Sequence, residues 1–193
     1  ERNGILYRGG DLSVLELVEK YLNTKTGVRP TTQNGYRTVV NFLKKDPFGE
    51  KRIDTVRVLD AKEWIVGLQK KGKGYSSIHS IRGVLRPAFA LAAESDFIRK
   101  NPFDFELKEV LINDSSKRDA VEPSVEKRFL DFVKNDETYR ECYDGMFILF
   151  KTGLRVSELS GLTLRDIDMK ERTININHQL QTTGHKGKYI EET

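Results

Sequence analysis

At 193 residues, with 37% apolar and 32% charged side chains, the chain suits one large domain or two small ones. No apolar run approaches the roughly 20 residues of a bilayer span, and the opening ERNGILYRGGD lacks a signal-peptide pattern. The single cysteine, Cys142, excludes an internal disulfide and a cysteine-rich zinc cage, and a cytoplasmic protein is the simplest expectation.

The net charge of +4 is unevenly spread: residues 1–105 carry 19 Lys and Arg against 12 Asp and Glu, whereas residues 106–193 carry 14 against 17. The N-terminal half is therefore the better candidate for a polyanion partner. A start without Met reads as a fragment of a longer chain.

Four helices are predicted in the first half. DLSVLELVEKYLN (11–23) places Leu12, Leu15, Val18 and Leu22 at helical spacing with Asp11 as cap, and TTQNGYRTVVNFLKKD (31–46) repeats the pattern with Tyr36, Val39, Val40 and Leu43. RVLDAKEWIVGLQKK (57–71) carries Leu59, Trp64, Ile65 and Leu68, and KGKG ends it. YSSIHSIRGVLRPAFALAAESD (75–96) gives Ile78, Ile81, Leu85 and Phe89, with Pro87 expected to kink or restart it. These helices make a compact domain over 1–105. A polar linker is expected over 106–122.

From Pro123 a second domain begins, with helices over 123–136 and 139–153, the latter ended by Gly153. A short helix and turn fill VSELSGLTLRDID. RTININHQL (172–180) alternates like a strand, TTGHKGK turns, and KYIEET returns. The expected class is mainly α, followed by the opening part of an α+β domain over 123–193.

KTGLRVSELSGL sets Arg155 and Glu158 directly after the apolar run MFILF. An (i, i+3) pair of this kind is ordinarily a helix-surface pair worth a few tenths of a kcal/mol, about 0.2–0.5. Here the cation emerges at the rim of a core, where a carboxylate can hold the guanidinium fork in one orientation. A fixed fork matches two non-bridging phosphate oxygens, which lysine cannot do.

At these residues the chain resembles the tyrosine recombinases, or phage-integrase family, whose Thr-Gly-Leu-Arg-x-Ser-Glu-Leu-x-x-Leu pattern TGLRVSELSGL (152–162) matches throughout. RPAFALAAESDFIRKNPF (86–103) resembles the end of that family's core-binding domain, and INHQL resembles integrases of conjugative transposons. The resemblance implies a SAM-like four-helix core-binding domain and strand cleavage through a 3′-phosphotyrosyl intermediate, with no metal or nucleotide cofactor. Arg155 would clamp the scissile phosphate, and Glu158 would position the arginine. Double-stranded DNA would be the partner, bound by a dimer to tetramer, with no membrane. The family's lysine, His-x-x-Arg helix and tyrosine are expected beyond residue 193, so this span alone is expected to be inactive. Lys186 and Lys188 lie in the first strand turn, His178 and His185 read as packing or solvated residues, and no tyrosine, Tyr189 included, is nominated as nucleophile.

DNA contacts are expected from two charged stripes: Gln33, Arg37, Asn41 and Lys44 on the second helix, and His79, Arg82 and Arg86 on the fourth. Arg82 and Arg86 are the candidates for base edges. Lys71 and Lys73 flank Ser76 and Ser77 at a helix N-terminus that suits a phosphate. Two other readings compete. VSELSGLTLRDID can form a helix-turn-helix, although Asp166 and Asp168 suit DNA poorly. A helical protein–protein adaptor would show no polyanion affinity.

Overall fold

The computed structural model describes residues 11–116, 118–183 and 187–192. The chain divides into two compact units, Glu1–Lys117 and Arg118–Thr193.

In the first unit, α1 (Val14–Asn23), α2 (Pro30–Leu43), α3 (Val58–Lys70) and α4 (Tyr75–Glu94) follow the predicted order. The cap of α1 is Ser13 rather than Asp11. Its hydroxyl accepts from the Glu16 amide while the Glu16 carboxylate accepts from the Ser13 amide, a reciprocal pair that satisfies two otherwise orphaned donors. Asp11 instead pairs with Arg52 at 2.7 Å. The helix α4 runs unbroken through Pro87, with Ala88 and Phe89 buried directly beyond it.

The core joins Val14 and Val18 of α1, Leu43 of α2, Ile65 of α3, and Ile78, Leu85 and Phe89 of α4 around Phe103. Burying each such side chain stabilises the unit by about 1.5–3 kcal/mol.

The expected linker starts later than residue 106. Leu107 and Leu111 are buried in the helical core. Beyond them, Gln69 donates to the Ile112 carbonyl at 2.8 Å, and the Asp114 carboxylate accepts the Tyr75 amide at 2.9 Å. A polar sequence concealed two apolar anchors spaced one helical turn apart.

The second unit opens with α5 (Pro123–Asn135) and α6 (Tyr143–Thr152), tied by Lys151 to Glu126 at 2.7 Å, and continues with α7 (Val156–Gly161). The predicted 172–180 strand is divided. Among the described residues only Thr173–Ile174 (β2) pairs with Ile167–Asp168 (β1), and the Asn175 amide extends that register by donating to the Asp166 carbonyl. A separate hairpin pairs β3 (His178–Thr183) with β4 (Gly187–Glu192), from His178 opposite Glu192 to Thr183 opposite Gly187. The architecture is mainly helical with two small antiparallel ribbons.

Candidate nucleic-acid interface and phosphate-binding arginine

The Thr152–Gly153–Leu154 turn aims Arg155. Gly153 adopts φ +70°, a left-handed conformation that glycine takes without steric penalty, and its amide closes α6 on the Leu149 carbonyl. Leu154 is buried and anchors the turn. Arg155 then opens α7 with its side chain 81% exposed, while the Glu158 side chain is only 12% exposed. Glu158 Oε1 accepts from Arg155 Nη1 at 2.7 Å, and Oε2 accepts the Arg155 amide at 2.7 Å. The carboxylate therefore holds both ends of the same residue. Those two hydrogen bonds draw the Glu158 pKa below its ordinary 4.5, so it stays ionised and keeps its grip. One nitrogen of the guanidinium is committed to Glu158, and its exposed edge faces water.

On the helical unit, Gln33, Arg37 and Asn41 are exposed along α2 and Lys44 at its end, as are His79 and Arg86 on α4 and Lys71 beyond α3. Lys73 packs its ammonium 4.3 Å from the centre of the Phe42 ring, which brings the KGKG turn against α2. Lys44 pairs with Glu19 at 3.2 Å and Arg86 with Asp104 at 2.6 Å, so both carry partners that a phosphate must displace. Gln33 donates to the Val28 carbonyl.

Arg82 is a correction. It lies four residues after Ile78 and three before Leu85, which at 3.6 residues per turn places it on the core stripe, not opposite it. It is 9% exposed, donates to the Phe103 carbonyl at 3.1 Å and to the Phe105 carbonyl, and lies over the Phe105 ring. Burial, with Arg86 nearby, lowers its pKa. In this arrangement Arg82 fastens the 103–105 segment to α4 and is not presented to a base edge.

The α4 N-terminus differs from expectation too. Its first amide is taken by Asp114, and the Ser76 hydroxyl lies 3.3 Å from that of Ser115, so the chain's own carboxylate stands where a phosphate was expected. Ser77 is exposed there. No sequence signal marked Asp114, since its role depends on a fold-level return of the chain.

Thr163 and Asp166 form a cap that the sequence reading did not single out. The Thr-x-x-Asp spacing forms a cap in which Asp166 Oδ2 accepts the Thr163 amide at 2.7 Å and its hydroxyl at 2.8 Å. That cap closes a single 3-10 turn, Leu164–Asp166, followed at once by β1. No recognition helix forms over residues 163–168, which removes the helix-turn-helix reading. His178 is largely buried against Gly161. Lys188 is exposed opposite Thr182, and Tyr189 is half-buried opposite Gln181. His185 and Lys186 lie outside the described residues. Among the described residues, no group of three or more His, Cys, Asp or Glu is placed to hold a metal ion, and no helix is long and apolar enough to cross a membrane.

Residues 120–191 match the model of the phage integrase family. The chain belongs to that family. It is 39% identical over 189 residues to the transposase of transposon Tn916 from Enterococcus faecalis and to that of Tn1545 from Streptococcus pneumoniae, covering 98% of this chain and 47% of each relative. The integrase of transposon Tn1549, solved as an Arg-to-Lys variant in complex with a circular intermediate DNA, superposes with a TM-score of 0.90 at 38% identity, covering 94% of this chain and 58% of that one. The proteins it resembles over nearly its whole length are thus transposases and integrases of transposons. The chain spans about half the length of the curated relatives it matches.

Proposed function

We propose that this chain is the DNA-gripping and arginine-bearing part of a site-specific recombinase that inserts or excises a mobile element. The observation that carries the reading is the Arg155–Glu158 pair: an exposed guanidinium bonded to one ionised carboxylate that also accepts the amide of the same residue. Such a fork donates to two non-bridging oxygens of a scissile phosphodiester and stabilises the charge that gathers on them in the transition state. A tyrosine oxygen, supplied by residues that the family carries beyond this span, attacks phosphorus. The 5′ oxygen departs, and the phosphotyrosyl ester keeps the bond's energy for rejoining to another strand.

In this reading the helical unit binds duplex DNA through Gln33, Arg37 and Asn41 of α2, Lys44 at its end, and His79 and Arg86 of α4, with Lys71 and Lys73 at the α3–α4 corner. Most of these contacts go to phosphates. The full-length protein works in the cytoplasm, as a dimer to tetramer assembled on DNA, and needs no metal or nucleotide.

The test uses a full-length recombinase containing this sequence, with a suicide substrate that traps the covalent adduct and a gel shift on the same site. Arg155→Lys keeps the charge and loses the fork, so adduct formation falls about a hundred- to thousandfold, or about 2.7–4 kcal/mol, while DNA affinity holds. Adduct forming at the wild-type rate in that variant would reduce Arg155 to a structural residue.

A further inference from the structure

The helix that carries Arg155 has only six residues, about 9 Å of length, too short to hold an orientation by itself. Its first turn is closed on itself by Glu158. β3 holds the helix in three ways, one near its start and two at its far end. His178 Nε2 lies 2.7 Å from the Gly161 carbonyl, the last residue of the helix. Ser157 Oγ lies 3.3 Å from Gln179 Oε1. The third is close backbone approach: a Cβ placed on Gly161 would stand 3.0 Å from the Gln179 Cα and 3.1 Å from the Leu180 nitrogen, so a side chain at residue 161 would press the strand outward.

We infer that His178 is a positioning residue for Arg155: it locks the β3–β4 hairpin to the end of the arginine helix, so that hairpin and guanidinium are placed as one body. The inference rests on the reading of Arg155 as a phosphate ligand. A carbonyl only accepts, so Nε2 must carry a proton, which fixes the neutral ring as the Nε2–H tautomer. Asp166 Oδ2, 3.4 Å from the same nitrogen, favours that proton's location. Asp166 is itself held by Thr163 and lies between the helix and β1. The imidazole thus closes a path from the strand to both ends of the 161–166 turn. A displacement of about 1 Å at a reacting group can cost about a hundredfold in rate, which is the scale at which such a lock matters.

Two substitutions separate a donor from a filler. His178→Gln retains an amide nitrogen at the Nε2 position, three bonds beyond Cβ, whereas His178→Phe keeps the ring and loses the donor. In the 193-residue chain, backbone amide exchange over 156–162 should accelerate about tenfold in His178→Phe and stay within about twofold of wild type in His178→Gln. Gly161→Ala, which pushes the strand away, should reproduce the acceleration with His178 intact. In a full-length recombinase containing this sequence, His178→Phe should slow single-turnover adduct formation about ten- to hundredfold with DNA affinity unchanged, and His178→Gln should restore it. Unchanged exchange in both His178→Phe and Gly161→Ala overturns the lock, and so does a cleavage loss that His178→Gln does not restore. Failure of the underlying reading looks different: Arg155→Lys would then cleave normally while the exchange results stood.

Discussion

The two units use their arginines in opposite ways, and the difference follows from how completely each closes its core. In the helical unit, Val14, Ile53, Ile78, Leu85, Phe89 and Phe103 are fully enclosed, and Arg82 is drawn in with them, its guanidinium spent on backbone carbonyls. In the second unit the buried apolar side chains are Leu130, Val133 and Leu154, while Phe129, Phe132, Phe147 and Phe150 stay between 37% and 56% exposed. There Arg155 is held by one carboxylate and otherwise faces water. A closed core turns a cation into a fastener. An open rim leaves it for a ligand.

The comparison breaks most sharply at Arg82. Arg82→Ala strands the Phe103 and Phe105 carbonyls in an apolar setting, and urea unfolding of the helical unit should show a loss of about 2–4 kcal/mol. Arg86, two-fifths or more exposed in its pair with Asp104, behaves as the opposite control. Arg86→Ala should leave stability within about 0.5 kcal/mol while lowering the salt dependence of DNA binding by about one phosphate contact. Equal stability losses in the two variants would undo the contrast between fastener and ligand-facing cation.

A smaller effect is expected where the helical unit hands the chain on. Asp114 supplies the acceptor that α4 lacks, because Gly74 at its N-cap offers no side chain. Asp114→Ala should cost about 1 kcal/mol, as lost helix caps do, and should expose residues 112–116 to limited proteolysis. Asp114→Asn keeps an acceptor oxygen and should recover most of both losses. Cleavage patterns identical in wild type and Asp114→Ala would show that the segment is held by Leu107 and Leu111 alone.

The helices were legible in the sequence because each carries an apolar stripe at helical spacing and three of the four begin within one residue of a pattern boundary. The arginine motif was legible for a chemical reason: its residues are close in sequence, so the chain itself brings Arg155 and Glu158 together. Arg82 was misread because charge was allowed to outweigh periodicity; its spacing from Ile78 and Leu85 already placed it inside. Asp114, and the grip of His178 on Gly161, depend on segments 39 and 17 residues apart meeting in the fold, and no local pattern encodes such meetings. The division of the 172–180 strand was hidden for the same reason: its first residues pair with 166–168 and its last with β4, and no local pattern names either partner.

The smallest effect sharpens the description of the open unit. Glu158 has its pKa lowered by hydrogen bonds from the Arg155 amide and guanidinium, so its carboxylate binds protons less readily folded than unfolded. A group shifted in that direction contributes stability that is fully present above its unfolded pKa and is lost as pH falls through its folded one. The Arg155–Glu158 contact should therefore persist unchanged from neutral pH down to about the ordinary carboxylate value of 4.5 and dissolve only below it. Carbon-detected titration of the Glu158 carboxyl, followed beside the Arg155 amide shift, should show both moving together with one midpoint below 4.5. In Arg155→Ala the guanidinium bond is gone while the backbone bond remains, so the midpoint should rise part of the way toward 4.5. A midpoint that does not move would mean that the backbone amide alone holds Glu158. The exposed guanidinium would then be free to rotate, and the fixed fork on which phosphate clamping depends would have to be built by the DNA itself.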